Sequence, residues 1–204
     1  MIFATFNHVT EKYTGKVYTP GEITDMFGPP EEIAIERLVG KERIDGAMDD
    51  FFTFYEKNHR DMASAYDGIV EMLEFLKSKG ILLAVFTGKG KRSTLISLDI
   101  LGIKNYFDFI ITGSDVENHK PSAEGIRKVI TRFGLEAEEV LMVGDAVADV
   151  KAAHDAGVKI AAVLWDSYGK DKVMEMQLDH KFHNVPEFIE WLKHLFNGER
   201  RFGE

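Results

Sequence analysis

Two aspartates follow a short apolar run at a spacing that suits a metal site. The run Val140-Leu141-Met142-Val143 is typical of a buried strand, and Gly144-Asp145-Ala146-Val147-Ala148-Asp149 follows it directly. Asp145 comes at the predicted strand end and Asp149 one helical turn later, so both carboxylates can face one point. Such oxygens suit Mg²⁺, which binds one or two carboxylates together with water and phosphate. The alternative is that Asp145 caps the next helix and Asp149 is a solvated first-turn acid.

Two other segments carry groups that could bind an oxyanion. The apolar run at 81–86 leads into Thr87-Gly88-Lys89-Gly90, where Thr87 offers a hydroxyl and Gly88 lets backbone N–H groups approach a phosphate. An ordinary strand-to-helix turn has the same composition. Lys120 is followed by a proline, which stiffens the loop that carries the charge. A single loop lysine usually lies at the surface, so its place between the other two segments is what makes it a candidate.

The surrounding pattern predicts the elements that position these residues. Short apolar runs predict strands at 81–86, 107–111, 140–143 and 159–164, separated by helices. This alternation is typical of a parallel sheet, and ligands bind at the carboxyl ends of such strands. The preceding part of the chain has helical periodicity only, with a helix start at Thr19-Pro20-Gly21-Glu22. The sequence therefore predicts a helical domain at 1–64 and an α/β domain at 65–204.

Composition and charge narrow the classes of function. The chain has 204 residues and no cysteine, which excludes a disulfide framework and thiolate chemistry. A formal net charge of −9 argues against nucleic acid or an anionic membrane as a partner. The first residues do not have the pattern of a signal peptide, and no apolar run is long enough for a membrane span. We expect a cytoplasmic protein, and the oligomeric state is open.

Three segments, taken in chain order, resemble motifs two to four of the haloacid dehalogenase superfamily. They are an apolar strand ending in Thr87, the Lys120-Pro121 loop and a strand ending in Gly-Asp-x-x-x-Asp. The segments at 86–93 and 27–32 look most like its phosphoglycolate-phosphatase-like branch. The resemblance implies a Rossmann-like parallel sheet with a small all-helical cap. It also implies Mg²⁺-dependent hydrolysis of a small phosphomonoester through an aspartyl-phosphate, with a small phosphorylated metabolite as the partner. A phosphomutase or a pyrophosphatase on the same scaffold is also compatible.

The resemblance implies a role for each site residue. Thr87 and the Gly88 backbone would bind the transferring phosphoryl group, and Lys120 would offset the charge of nucleophile and phosphate. Asp145, with Asp149 behind it, would hold Mg²⁺. These roles suit phosphoryl transfer, which depends mainly on positioning and on neutralising charge.

The family's first motif, a strand followed by Asp-x-Asp, does not occur in this sequence. That motif supplies the nucleophile, the general acid and base, and the expected central strand of the sheet. Three explanations are open. The favoured one is that the native chain starts upstream of Met1 and is an active enzyme. The second is a catalytically silent module that binds phosphate or a partner. The third is that the apolar segment 1–7 supplies a substitute strand, without a nucleophile.

Overall fold

The computed structural model describes residues 1–197, so residues 198–204 of the predicted α/β domain lie outside the described residues. The described helices are α1 (Ile2–Thr14), α2 (Pro20–Thr24), α3 (Glu31–Val39), α4 (Ile44–Met62), α5 (Ile69–Ser78), α6 (Lys91–Ile100), α7 (Glu124–Phe133), α8 (Val147–Ala156), α9 (Lys170–Met174) and α10 (Val185–Asn197). The described strands are β1 (Ala84–Phe86), β2 (Phe109–Ile111), β3 (Leu141–Gly144), β4 (Lys159–Val163) and β5 (His180–Phe182).

Contacts along the chain define two compact units. The first joins residues 1–65 to residues 87–116, and the second joins residues 66–86 to the chain from residue 117 onward. The motif at 87–90 therefore belongs to the same unit as α1 to α4. The predicted division into a helical cap at 1–64 and an α/β core at 65–204 refers to domains, which need not coincide with these contact units. That division stays a prediction.

The first unit contains α1 to α4, as the helical periodicity predicts. Phe6 of α1 meets Phe51 of α4 edge to face, with ring centroids 5.8 Å apart, and both side chains are buried. The predicted capping box at the start of α2 is confirmed, because Glu22 N–H donates to Thr19 Oγ1 and Thr19 N–H donates to the Glu22 carboxylate. A substitute strand at residues 1–7 is wrong, because this segment lies in α1 and buries a helical face through Phe6 and Val9.

The strands form two separate sheets, one of β1 with β2 and one in the order β3-β4-β5. Strands β3 and β4 are parallel, with Leu141 opposite Lys159 and Gly144 opposite Ala162, and β4 and β5 are also parallel. This arrangement, with helices between the strands, confirms the α/β class with parallel pairing. Strand β5 was not predicted, because its three residues include a charged lysine and give no apolar run.

Strands β1 and β3 belong to the second unit but are not paired with each other. The strand predicted at 81–86 is shorter in the structure, since β1 has only three residues, and Leu82 before it is 47% exposed. Val143 in β3 is 41% exposed.

Within residues 1–197, none of the helices combines the length and the apolar character that crossing a membrane requires.

Candidate functional site

A buried ion pair joins two of the predicted site residues in the second unit. Lys120 Nζ lies 2.7 Å from Asp149 Oδ1, and the two side chains are 15% and 5% exposed. The other oxygen of Asp149 accepts the backbone N–H groups of Asp145, at 3.0 Å, and of Ala146, at 3.1 Å. Asp149 thus caps the first turn of α8 and fixes the loop that carries Asp145. Both of its oxygens are engaged.

The ammonium group of Lys120 is also held at the end of β1. It donates to the carbonyl oxygen of Phe86 at 3.3 Å and lies 5.0 Å from the centroid of the Phe86 ring. Phe86 is the last residue of β1 and directly precedes Thr87 in the chain. A partly buried ammonium with these three contacts is fixed in position, as the stiff Lys-Pro loop predicts.

No other described residue donates a hydrogen bond to the carboxylate of Asp145, which distinguishes it from Asp149. The residue is exposed. Burial, followed by the neighbouring Asp149 carboxylate, raises the pKa of Asp145. The carbonyl oxygen of Asp145 accepts a hydrogen bond from Ser167 Oγ at 2.6 Å. The loop that follows β4 therefore helps to fix this residue, while its carboxylate stays open to a ligand.

Thr87 and Gly88 belong to the first unit. The Thr87 N–H donates to the Ile111 carbonyl at 3.0 Å, and Thr87 Oγ1 accepts the Lys89 N–H at 3.2 Å. Gly88 lies against the segment before α3, where a Cβ at position 88 would be 2.7 Å from the Gly28 carbonyl oxygen. The structure thus gives Gly88 a packing role besides the predicted approach to phosphate.

Two glutamates at the start of α3 meet the start of α6. The Gly90 N–H donates to Glu31 Oε2 at 2.7 Å, and Glu31 is 5% exposed. The other Glu31 oxygen and one Glu32 oxygen are buried without a hydrogen bond to the described residues. Burial and the adjacent Glu31 raise the pKa of Glu32. This carboxylate pair holds the loop at 87–90 against the segment at 28–32.

The structure brings Lys120, Asp145 and Asp149 together in the second unit, and it packs Thr87 and Gly88 with the first. Sequence reasoning missed the contributions of the Phe86 carbonyl, of Ser167 and of Glu31. Ser167 comes soon after β4, so the rule that sites form at carboxyl ends of parallel strands could have identified it. Glu31 gave no such signal, because acids in a helix's first turn are common.

Comparison with known proteins identifies the family. Residues 1–163 match the model of the haloacid dehalogenase-like hydrolases. The chain belongs to this family, as the motif order implied.

Several relatives match nearly the whole chain. The pyrophosphatase PpaX of Halalkalibacterium halodurans is 29% identical over 190 residues, covering 93% of this chain and 88% of the relative. The solved structure of a candidate β-phosphoglucomutase from Thermotoga maritima is 29% identical, with a TM-score of 0.71, and covers 95% of this chain and 91% of that one. The solved structure of a predicted phosphoglycolate phosphatase from Haemophilus somnus is 20% identical, with a TM-score of 0.76, and covers 95% of this chain and 89% of that one. At this identity the likeness supports the fold alone.

Proposed function

We propose that this protein is a Mg²⁺-dependent phosphohydrolase that acts on a small phosphorylated metabolite through an aspartyl-phosphate. The observation that carries the proposal is the arrangement of Lys120, Asp149 and Asp145. Asp149 fixes the buried Lys120 through an ion pair. It also fixes the loop that carries Asp145, whose carboxylate oxygens are open to a ligand. This is a suitable arrangement for neutralising a phosphate and holding a cation.

Asp145 fits a magnesium ion better than Asp149 does. The oxygens of Asp149 already accept hydrogen bonds from Lys120 and from two backbone N–H groups, whereas no other residue in the described part of the chain donates to those of Asp145. Within residues 1–197, no three His, Asp or Glu side chains converge on a metal position. A magnesium ion bound by Asp145 would therefore complete its shell with water and phosphate oxygens, as this ion usually does.

We propose a role for each remaining site residue. When bound, Mg²⁺ supplies positive charge that stabilises the phosphoryl oxygens during transfer. Lys120 adds a fixed positive charge, Asp149 keeps that lysine in place, and the Thr87 hydroxyl with the Gly88 backbone binds the phosphoryl group. These positions also explain how an acidic protein could attract a phosphate, since the local charge differs from the net charge of −9.

We propose that the nucleophile comes from a segment that precedes Met1. The unpaired edges of β1 and β3, with exposed Leu82 and Val143, support a strand between them. A strand of about 5–6 residues with a short connection would fill that position. One relative is named as a pyrophosphatase, and that activity is compatible with this site.

Turnover of p-nitrophenyl phosphate by the 204-residue chain tests the proposal. We expect no Mg²⁺-dependent hydrolysis, because this sequence contains no strand followed by Asp-x-Asp. Clear hydrolysis that disappears in Asp145→Asn would contradict the proposed source of the nucleophile. The upstream codons of the gene, read in frame, provide an independent check. If they encode no strand followed by Asp-x-Asp, the rival function, a catalytically silent phosphate- or partner-binding module, is correct.

A further inference from the structure

Two carboxylates from the first turn of α3 meet beside Gly90, and all three residues belong to the first unit. A Cβ placed on Gly90 would lie 2.6 and 2.8 Å from the two oxygens of Glu32 and 3.0 Å from Glu31 Oε1. Three carboxylate oxygens therefore surround one small volume, and they can approach it because residue 90 has no side chain. The second oxygen of Glu31 accepts the Gly90 N–H at 2.7 Å, which fixes the direction of that carboxylate.

The Glu31 oxygen that faces this volume is deeply buried. Glu31 is only 5% exposed, and its Oε1 accepts no hydrogen bond from any residue in the described range 1–197. Oε2 of Glu32 is likewise buried and accepts none, although Glu32 as a whole is partly exposed. Buried polar atoms in native proteins nearly always have a partner, such as an ordered water or an ion. Two such oxygens facing one volume therefore indicate a site for a bound group.

The nearby cations of the first unit are engaged by other groups. Lys89 donates to two hydroxyl oxygens, and Lys91 pairs with Asp115 at 3.4 Å. The guanidinium of Arg92 lies 4.2 Å from the centroid of the Phe52 ring. No lysine, arginine or histidine within residues 1–197 forms an ion pair with either glutamate beside Gly90. The negative charge of the two carboxylates is therefore not compensated by a side chain, and buried charges in proteins are usually paired.

We propose that Glu31 and Glu32 bind a divalent cation, at a site made of different residues from the one proposed at Asp145. The donors are carboxylate oxygens, which suit a hard cation such as Mg²⁺ or Ca²⁺. Within the described residues, no third His, Asp or Glu converges on the pair, so water would complete the coordination shell from the partly exposed side of Glu32. An occupied site would tie the start of α6 to α3.

A shared proton is the other way to relieve the repulsion between the two carboxylates. Burial, followed by the adjacent Glu31, raises the pKa of Glu32, so this carboxylate takes up a proton more readily than an exposed one. A proton and a cation compete for the same oxygens, and they differ in what a metal titration shows. At neutral pH a divalent cation stabilises the fold if it binds the pair, and it has no effect through Glu32 if the pair only shares a proton.

Thermal unfolding of the full chain carrying Asp145→Asn tests the proposal, because this substitution removes the other proposed cation site. Melting is compared at neutral pH in EDTA, in Mg²⁺ and in Ca²⁺. We expect at least one cation to raise the melting temperature by about 5 °C or more at a hundredfold excess over its dissociation constant. Adding Glu32→Gln should abolish the rise. The control Glu42→Gln, which removes an exposed acid elsewhere in the first unit, should retain it.

Glu31→Gln provides a second variant, since its amide oxygen can still accept the Gly90 N–H, and it should also abolish the rise. Calorimetric titration with the same cation should count one bound ion in the Asp145→Asn chain and none after Glu32→Gln is added. No rise with either cation, or a rise that survives Glu32→Gln, would overturn the proposal and leave a carboxylate pair that shares a proton.

The two cation sites can fail independently. Cation binding by the unsubstituted chain that disappears completely in Asp145→Asn would support the Mg²⁺ site of the proposed function and contradict the site at Glu31 and Glu32. Binding that persists in Asp145→Asn and is lost when Glu32→Gln is added would support the site at Glu31 and Glu32, whatever Asp145 binds.

Discussion

At the scale of single residues, the two aspartates after β3 have different surroundings and therefore different expected roles. Asp149 is buried and fully hydrogen-bonded, whereas the Asp145 carboxylate is open. A buried pair contributes less net stability than its geometry suggests, but loss of one partner leaves an unpaired buried charge. The Lys120–Asp149 pair should thus be sensitive to truncation.

We predict that Lys120→Met lowers the free energy of unfolding by about 3 kcal/mol, because Asp149 would keep its charge without a partner. Urea denaturation at neutral pH measures this change in the free energy of unfolding. The control is Lys128→Met, which breaks an exposed i,i+4 pair with Glu124 at 2.8 Å and should cost about 0.3–0.5 kcal/mol. Similar losses in the two variants would show that the pair at the site is not effectively buried.

The glutamates beside Gly90 predict a pH dependence of stability. The pKa of Glu32 is raised above 4.5 by burial and by Glu31, so the folded chain binds this proton more tightly than the unfolded chain. Its contribution to stability is therefore full below pH 4.5 and is lost as the pH rises through the raised pKa. We expect Glu32→Gln to increase stability at neutral pH and to change little in acid.

The sign reverses for Glu22, whose pKa is lowered by hydrogen bonds from the Thr19 backbone and side chain. Glu22→Gln should lower stability at neutral pH and have no effect well below pH 4.5, the ordinary pKa of the group. Denaturation curves over a pH series compare the two variants. A neutral-pH loss in Glu32→Gln as well would mean that Glu32 is ionised and stabilising in the fold.

At the scale of elements, the loop after β1 is packed so closely that its glycine is required. We predict that Gly88→Ala costs about 1–3 kcal/mol, because its Cβ would be 2.7 Å from the Gly28 carbonyl oxygen, which is backbone and has little freedom to move. Gly21→Ala in α2 is the control, since no atom lies within 4 Å of its added Cβ. Unchanged stability in Gly88→Ala, with weaker phosphate binding, would show that this glycine serves the ligand alone.

The elements also show how far sequence reasoning reached. Periodicity predicted the helical segment that contains α1 to α4, and the capping box predicted the start of α2, because both depend on local interactions. The apolar run at 81–86 predicted a longer strand than β1, because strand length depends on partners that a local pattern does not contain. For the same reason, spacing identified Asp145 and Asp149 as candidates but could not show that the oxygens of Asp149 are already occupied.

At the scale of the whole molecule, three features fit together. The chain belongs to the haloacid dehalogenase-like hydrolases, its described strands form two separate sheets in which β1 and β3 are not paired with each other, and Leu82 and Val143 are exposed. The proposed central strand would pair with β1 and β3 and would also bring the nucleophile.

The most direct test is to compare the 204-residue chain with one extended before Met1 by an apolar strand ending in Asp-x-Asp. Mg²⁺-dependent hydrolysis of p-nitrophenyl phosphate is measured for both, with the first added aspartate changed to asparagine as control. We predict turnover in the extended chain alone, with loss of turnover in the asparagine control and in Asp145→Asn. Equal turnover with and without the extension, or turnover that survives the asparagine control, would contradict the account.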